Sequence, residues 1–233
     1  MTRGRGPLER NQLWIGNTFC RTCAAAALRA ALCPLKADFP WEPAASADSR
    51  TLLRMQRYAK TQSNTNDLIE ESFLNIRLIS FQILHDKFGF GYKRLMKVEK
   101  IITEYLNTTA AGGLSTEQLQ FYMREKCGID AKAEANRVPF RESFSLVERK
   151  VAPGSMQTAG KFLAASICNY YALLGVCLKT GFNFSKRQVA ETLEWIRYYI
   201  NSLATGYETM PGIASVMEQE CKYCDPRFIG KTY

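Results

Sequence analysis

The chain has 233 residues, of which 46% are hydrophobic and 23% charged, a composition typical of a soluble globular protein. No uninterrupted apolar run approaches the roughly 18 residues that span a bilayer; the nearest, Ala24–Leu32, is interrupted by Arg29. The net charge of +9 favours a nucleic acid, an anionic surface or an acidic protein as partner, although a merely soluble basic protein has the same charge.

Residues 1–54 differ from the rest of the chain. They combine an Arg/Gly/Pro-rich start with Ala-rich and Pro/Ala stretches and show little sustained periodicity. This composition predicts a poorly ordered extension. Met55 begins a segment that reads like an ordinary protein start, so residues 1–54 are expected to contribute little to the fold.

Three helices are predicted after the extension. The first runs from about Asn64 to about Lys87 with apolar residues at a 3.6-residue period, and Phe88–Gly91 interrupts it. A second helix extends from Tyr92 to about Thr108. Ser115 and Gln118 then fit a capping box for a third helix that reaches about Lys126.

Residues 72–127 and 166–221 align without a gap at an offset of 94 residues, and twelve aligned positions are identical. A repeat of this length indicates a duplicated small domain, because solenoid repeats are shorter. The sequence therefore predicts an all-α fold with four parts: an extension (1–54), a three-helix repeat (55–130), a linker (131–157) and a second three-helix repeat (158–233).

The segment Leu84–Leu95 has the order helix, Gly-hydrophobic-Gly turn, helix, and is similar to the helix-hairpin-helix motif of DNA repair and replication proteins. Glycines allow a phosphate to approach the backbone, and the first amides of the following helix can bind that anion. Basic residues of both repeats flank the turns. The predicted nucleic-acid-binding residues are Lys87, Gly89, Gly91, Lys93, Arg94, Lys97, Lys186 and Arg187.

A purely structural role for the same turn is the alternative. The second repeat keeps both aromatic residues, as Phe182 and Phe184, but has Asn183 and Ser185 in place of the glycines. The rings are then core anchors in both repeats, the glycines only turn the chain, and the basic residues are a solvated face. If the turn does bind phosphate, its close approach is expected in the first repeat alone.

The wider string from Leu84-His-Asp-Lys-Phe-Gly-Phe-Gly to Ser115-Thr-Glu-Gln-Leu resembles small uncharacterised proteins of phages and prophages of Gram-positive gut bacteria. The resemblance covers about residues 66–130. It implies a phage origin and a location in the bacterial cytoplasm, and it implies no particular activity.

The sequence predicts neither an enzyme nor a cofactor, because no phosphate-loop, dinucleotide or nucleophile motif is present. His85 and Asp86 could form a proton-transfer pair, but adjacent residues at a helix end more often serve as a cap and a surface partner. No metal site is predicted. Two Cys-x-x-Cys pairs, at Cys20/Cys23 and Cys221/Cys224, leave a four-thiolate zinc site open, although Cys221 aligns with Cys127 and so has a structural explanation.

These observations predict a non-enzymatic, phage-type module of replication or transcription that binds the backbone of DNA or RNA without strong sequence preference. The alternative is an adaptor or inhibitor of a host or phage protein complex. No membrane partner is expected. Salt dependence separates the two hypotheses, because phosphate binding weakens steeply with salt and an apolar protein interface does not.

Overall fold

The computed structural model describes residues 49–148, 151 and 155–229 of the chain. This described part is all-α, as the sequence predicts, and contains no strand. It consists of seven α-helices and one 3-10 helix: α1 (Ser49–Phe88), α2 (Tyr92–Ala110), α3 (Thr116–Cys127), α4 (Ala131–Asn136), the 3-10 helix (Glu142–Leu146), α5 (Met156–Phe182), α6 (Lys186–Thr205) and α7 (Met210–Cys221).

Helices α1 and α5 form a parallel pair at the centre of the molecule. The hydroxyls of Ser72 and Ser166 lie 2.8 Å apart. Phe88 ends α1 sixteen residues after Ser72 (88 − 72), roughly 24 Å along the axis, and its ring lies 4.9 Å from that of Phe184, two residues beyond the end of α5. Both helices therefore end on the same side of the molecule.

The two predicted repeats pack on each other more than on themselves. Helices α2 and α3, from the first, pack on α5, whereas α6 and α7, from the second, pack on α1. One hydrophobic core contains residues from all six of these helices, among them Phe73, Leu95, Met123, Leu174, Ile196 and Met217. The segments 55–130 and 158–233 thus follow each other along the chain but share one core in space.

Helix ends recur at the 94-residue offset of the sequence repeat. Phe88 and Phe182 end α1 and α5, and α3 and α7 both end in a cysteine, Cys127 and Cys221. The predicted capping box of Ser115 and Gln118 is confirmed. A duplicated gene segment would produce such matching ends. The duplication itself stays a prediction.

Two differences from the predicted elements concern the ends of the first repeat. Helix α1 begins at Ser49 and not near Asn64, so that the last six residues of the predicted extension are helical; residues 1–48 lie outside the described part of the chain. The predicted linker 131–157 contains α4 and the 3-10 helix. The Asp130 carboxylate caps α4 by accepting two backbone N–H bonds.

Helix α5 is long and apolar enough to cross a bilayer by length and composition. Most of its residues are buried by the surrounding helices, including Tyr170, Tyr171 and Leu174. The central helix of a large helical core has the same composition, because helices cover it on all sides.

A polar cluster attaches the segment after α7 to the core. The Arg227 guanidinium donates to Asp225 at 2.6 Å and to Asn75 Oδ1 at 2.6 Å, and the Asn75 amide donates to the Leu146 carbonyl at 3.0 Å. Arg77 pairs with Glu99 at 2.8 Å. Buried charges need such partners, and here the partners come from four distant parts of the chain.

Candidate nucleic-acid interface

The turns that follow α1 and α5 have the same backbone hydrogen bond. The Phe90 amide donates to the Leu84 carbonyl at 3.0 Å, and the Phe184 amide donates to the Leu178 carbonyl at 3.1 Å. The chain leaves each helix through one left-handed residue, Gly89 in the first turn and Asn183 in the second. Both residue types tolerate that conformation, so the two turns have the same form despite the difference in sequence.

Four aromatic rings join the turns across the molecule. Phe90 and Phe182 are 5.0 Å apart, Phe88 and Phe184 are 4.9 Å apart, and Phe90 also meets Phe184 at 5.9 Å. Phe90 and Phe184 are buried and the other two rings pack against the core. We call residues 88–91 and 182–185 the paired turns. Phe90 and Phe184 thus have the core position that the sequence predicts, whereas Phe88 and Phe182 are half-buried.

The glycines of the first turn leave an open helix start. Gly89 has φ +63°, whereas Gly91, at φ −83° and ψ 175°, has a conformation open to any residue. A Cβ at either position would meet nothing within 4 Å. No side chain caps α2, whereas Ser185 and Gln188 form a complete capping box on α6. Access from outside to the first amides is therefore greater at α2 than at α6.

The six predicted basic residues are exposed around these turns and, among the described residues, form no ion pair. Three of them make contacts that leave their charge uncompensated. Lys87 Nζ lies 3.8 Å from the centre of the Trp195 ring, Arg94 lies over Phe90 at 5.2 Å, and Lys97 Nζ donates to the Gly181 carbonyl at 3.2 Å.

The other three basic residues are Lys93, Lys186 and Arg187. Lys186 reaches over Gly128, and Lys93 and Arg187 extend from the first turns of α2 and α6. Elsewhere in the described chain, Arg124 pairs with Asp130 and Arg137 with Glu134, whereas the exposed Arg141 and Lys161 have no ion pair among the described residues. The structure thus brings all eight predicted residues to one end of the molecule.

Sequence reasoning missed the partner of His85. His85 contacts Glu220 Oε2 through Nε2 at 2.9 Å and the Phe90 carbonyl through Nδ1 at 3.0 Å, and neither contact involves Asp86. The Asp86 carboxylate accepts instead from the Tyr199 hydroxyl at 3.4 Å. Burial, and secondarily the Asp86 charge, raises the pKa of Tyr199 to about 12, so this hydroxyl stays a donor. Glu220 is 135 residues from His85 in the chain, beyond the reach of a local motif.

The described cysteines differ in their burial. Cys127 and Cys221 are buried at matching helix ends, and Cys224 is exposed. The predicted alternative of a four-thiolate zinc site depends on Cys20 and Cys23, which lie outside the described residues.

No protein-family model matches the chain, and no curated protein or solved structure is significantly similar to it.

Proposed function

We propose that the protein binds the phosphate backbone of DNA or RNA through the paired turns, without strong sequence preference. The observation that carries this proposal is the gathering of six basic side chains without an ion pair, from both halves of the chain, around the paired turns, one of which leads into an uncapped helix start. Unpaired cations at one end attract a polyanion and release its counterions on contact.

The α2 start is the expected point of closest approach. The amides of Tyr92 and Lys93 have no acceptor among the described residues, and Gly91 presents no side chain in front of them. Backbone N–H groups at a helix start bind phosphate oxygens, assisted by the helix dipole. Such contacts position a protein on nucleic acid and carry no direct sequence information.

The biological setting that we propose follows from the sequence resemblance to phage and prophage proteins: a non-enzymatic, phage-encoded protein that acts on replication or transcription in the bacterial cytoplasm. An adaptor that binds an acidic surface of a host or phage protein is the second candidate. The basic residues around the paired turns can bind either a nucleic acid or an acidic protein surface. A binding experiment with nucleic acid therefore distinguishes the two candidates.

The test is the binding of labelled, mixed-sequence DNA and RNA, measured by fluorescence anisotropy at several salt concentrations. Lys93→Glu with Arg94→Glu reverses two charges beside the open helix start. Arg141→Glu with Lys161→Glu is the matched control, because both side chains are exposed and Lys161 is 21 residues before the end of α5 (182 − 161), roughly 32 Å from the turns. The two variants have the same net charge.

We expect the first variant to bind more weakly and the slope of log K against log salt to decrease in magnitude by about 2, since each lost phosphate contact contributes about 1. The control should retain most of the affinity. Gly91→Val should also weaken binding, by placing a branched side chain before the α2 amides, whereas Ser185→Val should have a smaller effect. Equal losses in variant and control indicate nonspecific charge attraction. Absence of salt-sensitive binding in the unmodified protein supports the adaptor.

A further inference from the structure

We propose that His85, Asp86 and Glu220 bind one divalent transition-metal ion, such as Zn²⁺, at the end of α1 beside the paired turns. The ligand atoms of the three side chains all lie within 4.8 Å of one another. This site is a departure from the sequence prediction that no metal is bound, and it does not depend on nucleic-acid binding.

Both ring nitrogens of His85 face oxygen acceptors, so a cation, either a proton or a metal ion, lies between Nε2 and the Glu220 carboxylate. Nδ1 lies 3.0 Å from the Phe90 carbonyl oxygen, which can only accept, so Nδ1 carries a hydrogen. In neutral imidazole the other nitrogen, Nε2, is then an acceptor. Nε2 lies 2.9 Å from the Glu220 carboxylate, which is also an acceptor. Two acceptors at this distance repel unless a proton or a metal ion lies between them.

The surroundings favour a metal ion as that cation. Metal-bound histidines characteristically donate their other N–H to a backbone carbonyl, which fixes the ring and the tautomer, and the Phe90 carbonyl has this role here. The second carboxylate, Asp86, is held by the Tyr199 hydroxyl at 3.4 Å. Two carboxylates thus lie beside one imidazole, a donor set that a divalent ion can bind.

Metal binding requires the side chains to adjust, because Nε2 and the Glu220 oxygen are now 2.9 Å apart and the three ligand atoms lie within 4.8 Å of one another. Zinc binds nitrogen and oxygen ligands at about 2.0–2.2 Å, so that ligand atoms in a tetrahedral site are about 3.4 Å apart. Glu220 has 55% of its side chain exposed and can rotate to this spacing. Three protein ligands leave a coordination position for water, and the nitrogen and oxygen donors suit Zn²⁺ or Co²⁺ better than Mg²⁺.

The other half of the molecule cannot form the same site. At the 94-residue offset, His85 corresponds to Lys179, Asp86 to Thr180 and Glu220 to Lys126. The Lys179 ammonium even makes the equivalent bond, to the Phe184 carbonyl at 3.2 Å. The second half thus has an ammonium group where the first half has the proposed imidazole ligand, and the expected stoichiometry is one ion per chain.

The test uses the full, untagged chain, in which His85 is the single histidine. Zn²⁺ is titrated while the imidazole signals are followed by NMR and binding heats by calorimetry. We expect one equivalent to shift the histidine resonances and to raise the melting temperature, because the ion joins α1 to α7 and binds the folded state. His85→Ala and Glu220→Gln should weaken binding at least 10-fold, whereas Glu218→Gln, a neighbouring carboxylate on α7, should not.

The Cys224→Ser variant tests whether a cysteine thiolate binds the Zn²⁺ in place of the proposed ligands. Unchanged affinity in this variant supports the proposed ligands. The proposal is overturned if His85→Ala binds Zn²⁺ with unchanged affinity, if the imidazole signals do not move at saturating Zn²⁺, or if the unmodified chain binds no Zn²⁺ at all.

Discussion

Phe90→Ala tests whether the rings of the paired turns hold the two halves together. Phe90 is 2% exposed and contacts Phe182 and Phe184. A buried phenylalanine removes about 150–200 Å² from water, which corresponds to about 4–5 kcal/mol at 25 cal/mol per Å². Alanine keeps the Cβ contribution, so the expected loss of unfolding free energy is about 3–4 kcal/mol, within the usual range for such substitutions.

Urea denaturation followed by circular dichroism measures this loss directly. For a chain of this length the melting temperature should fall by about 6–15 °C. Phe184→Ala, the equivalent change in the second half, should cost a similar amount because Phe184 is 6% exposed. Phe121→Ala is the control, since its ring is 62% exposed and the change should cost less than about 0.5 kcal/mol. A cost for Phe90→Ala as small as for Phe121→Ala would refute the packing argument.

Three further predictions concern the turn, the polar cluster and the thiols. Gly89→Ala should destabilise by about 1 kcal/mol because a side chain is strained at its positive φ, whereas Gly91→Ala should change the melting temperature little; equal effects would contradict the assigned backbone conformations. Asp225→Asn should cost about 3–5 kcal/mol at neutral pH. Burial alone raises the pKa of Asp225, but the bonds and charge of Arg227 outweigh it and lower the pKa below 3.8. The stabilisation is therefore present above about pH 4 and is lost as the pH falls through the folded-state value, so the curves of variant and unmodified protein should converge in acid; a constant difference would argue against the ion pair. Burial raises the pKa of Cys168 to about 11 and of Cys177 to about 12, so iodoacetamide should modify them at least ~100-fold more slowly than exposed Cys224, as peptide mass spectrometry can show; rapid modification of Cys177 would contradict the buried α5.

Much of the fold follows from local sequence patterns. The period of apolar residues, the interruption at Phe88–Gly91 and the Ser115 cap set most helix ends, and these signals act within a few residues. The start of α1 at Ser49 was missed because the region before Asn64 lacks a clear apolar stripe. The packing of α3 on α5 and of α7 on α1 was also missed, since periodicity shows which face is buried but not which helix covers it.

The candidate interface likewise has a part that the sequence predicts and a part that depends on long-range packing. The first turn and its basic residues were found because they are adjacent in sequence, as Gly89, Gly91, Lys93 and Arg94. Their meeting with Lys186 and Arg187 depends on the rings of four phenylalanines across the molecule. The contact between His85 and Glu220 likewise requires α7 to pack on α1. Long-range contacts of this kind have no signal in a single sequence.

The two turns have the same backbone hydrogen bond and the same left-handed residue position but differ in charge and access. In the first half, the turn has Gly91 before an uncapped helix, and His85 faces the carboxylate of Glu220. In the second half, Ser185 caps the helix, and Lys179 replaces the histidine. The four phenylalanine rings contact one another across the molecule, and the Phe90 and Phe184 amides close the turns. A change in either turn therefore costs stability in both halves. Exposed residues are free of this constraint, and the proposed phosphate contact and the proposed metal site both depend on exposed residues that differ between the halves.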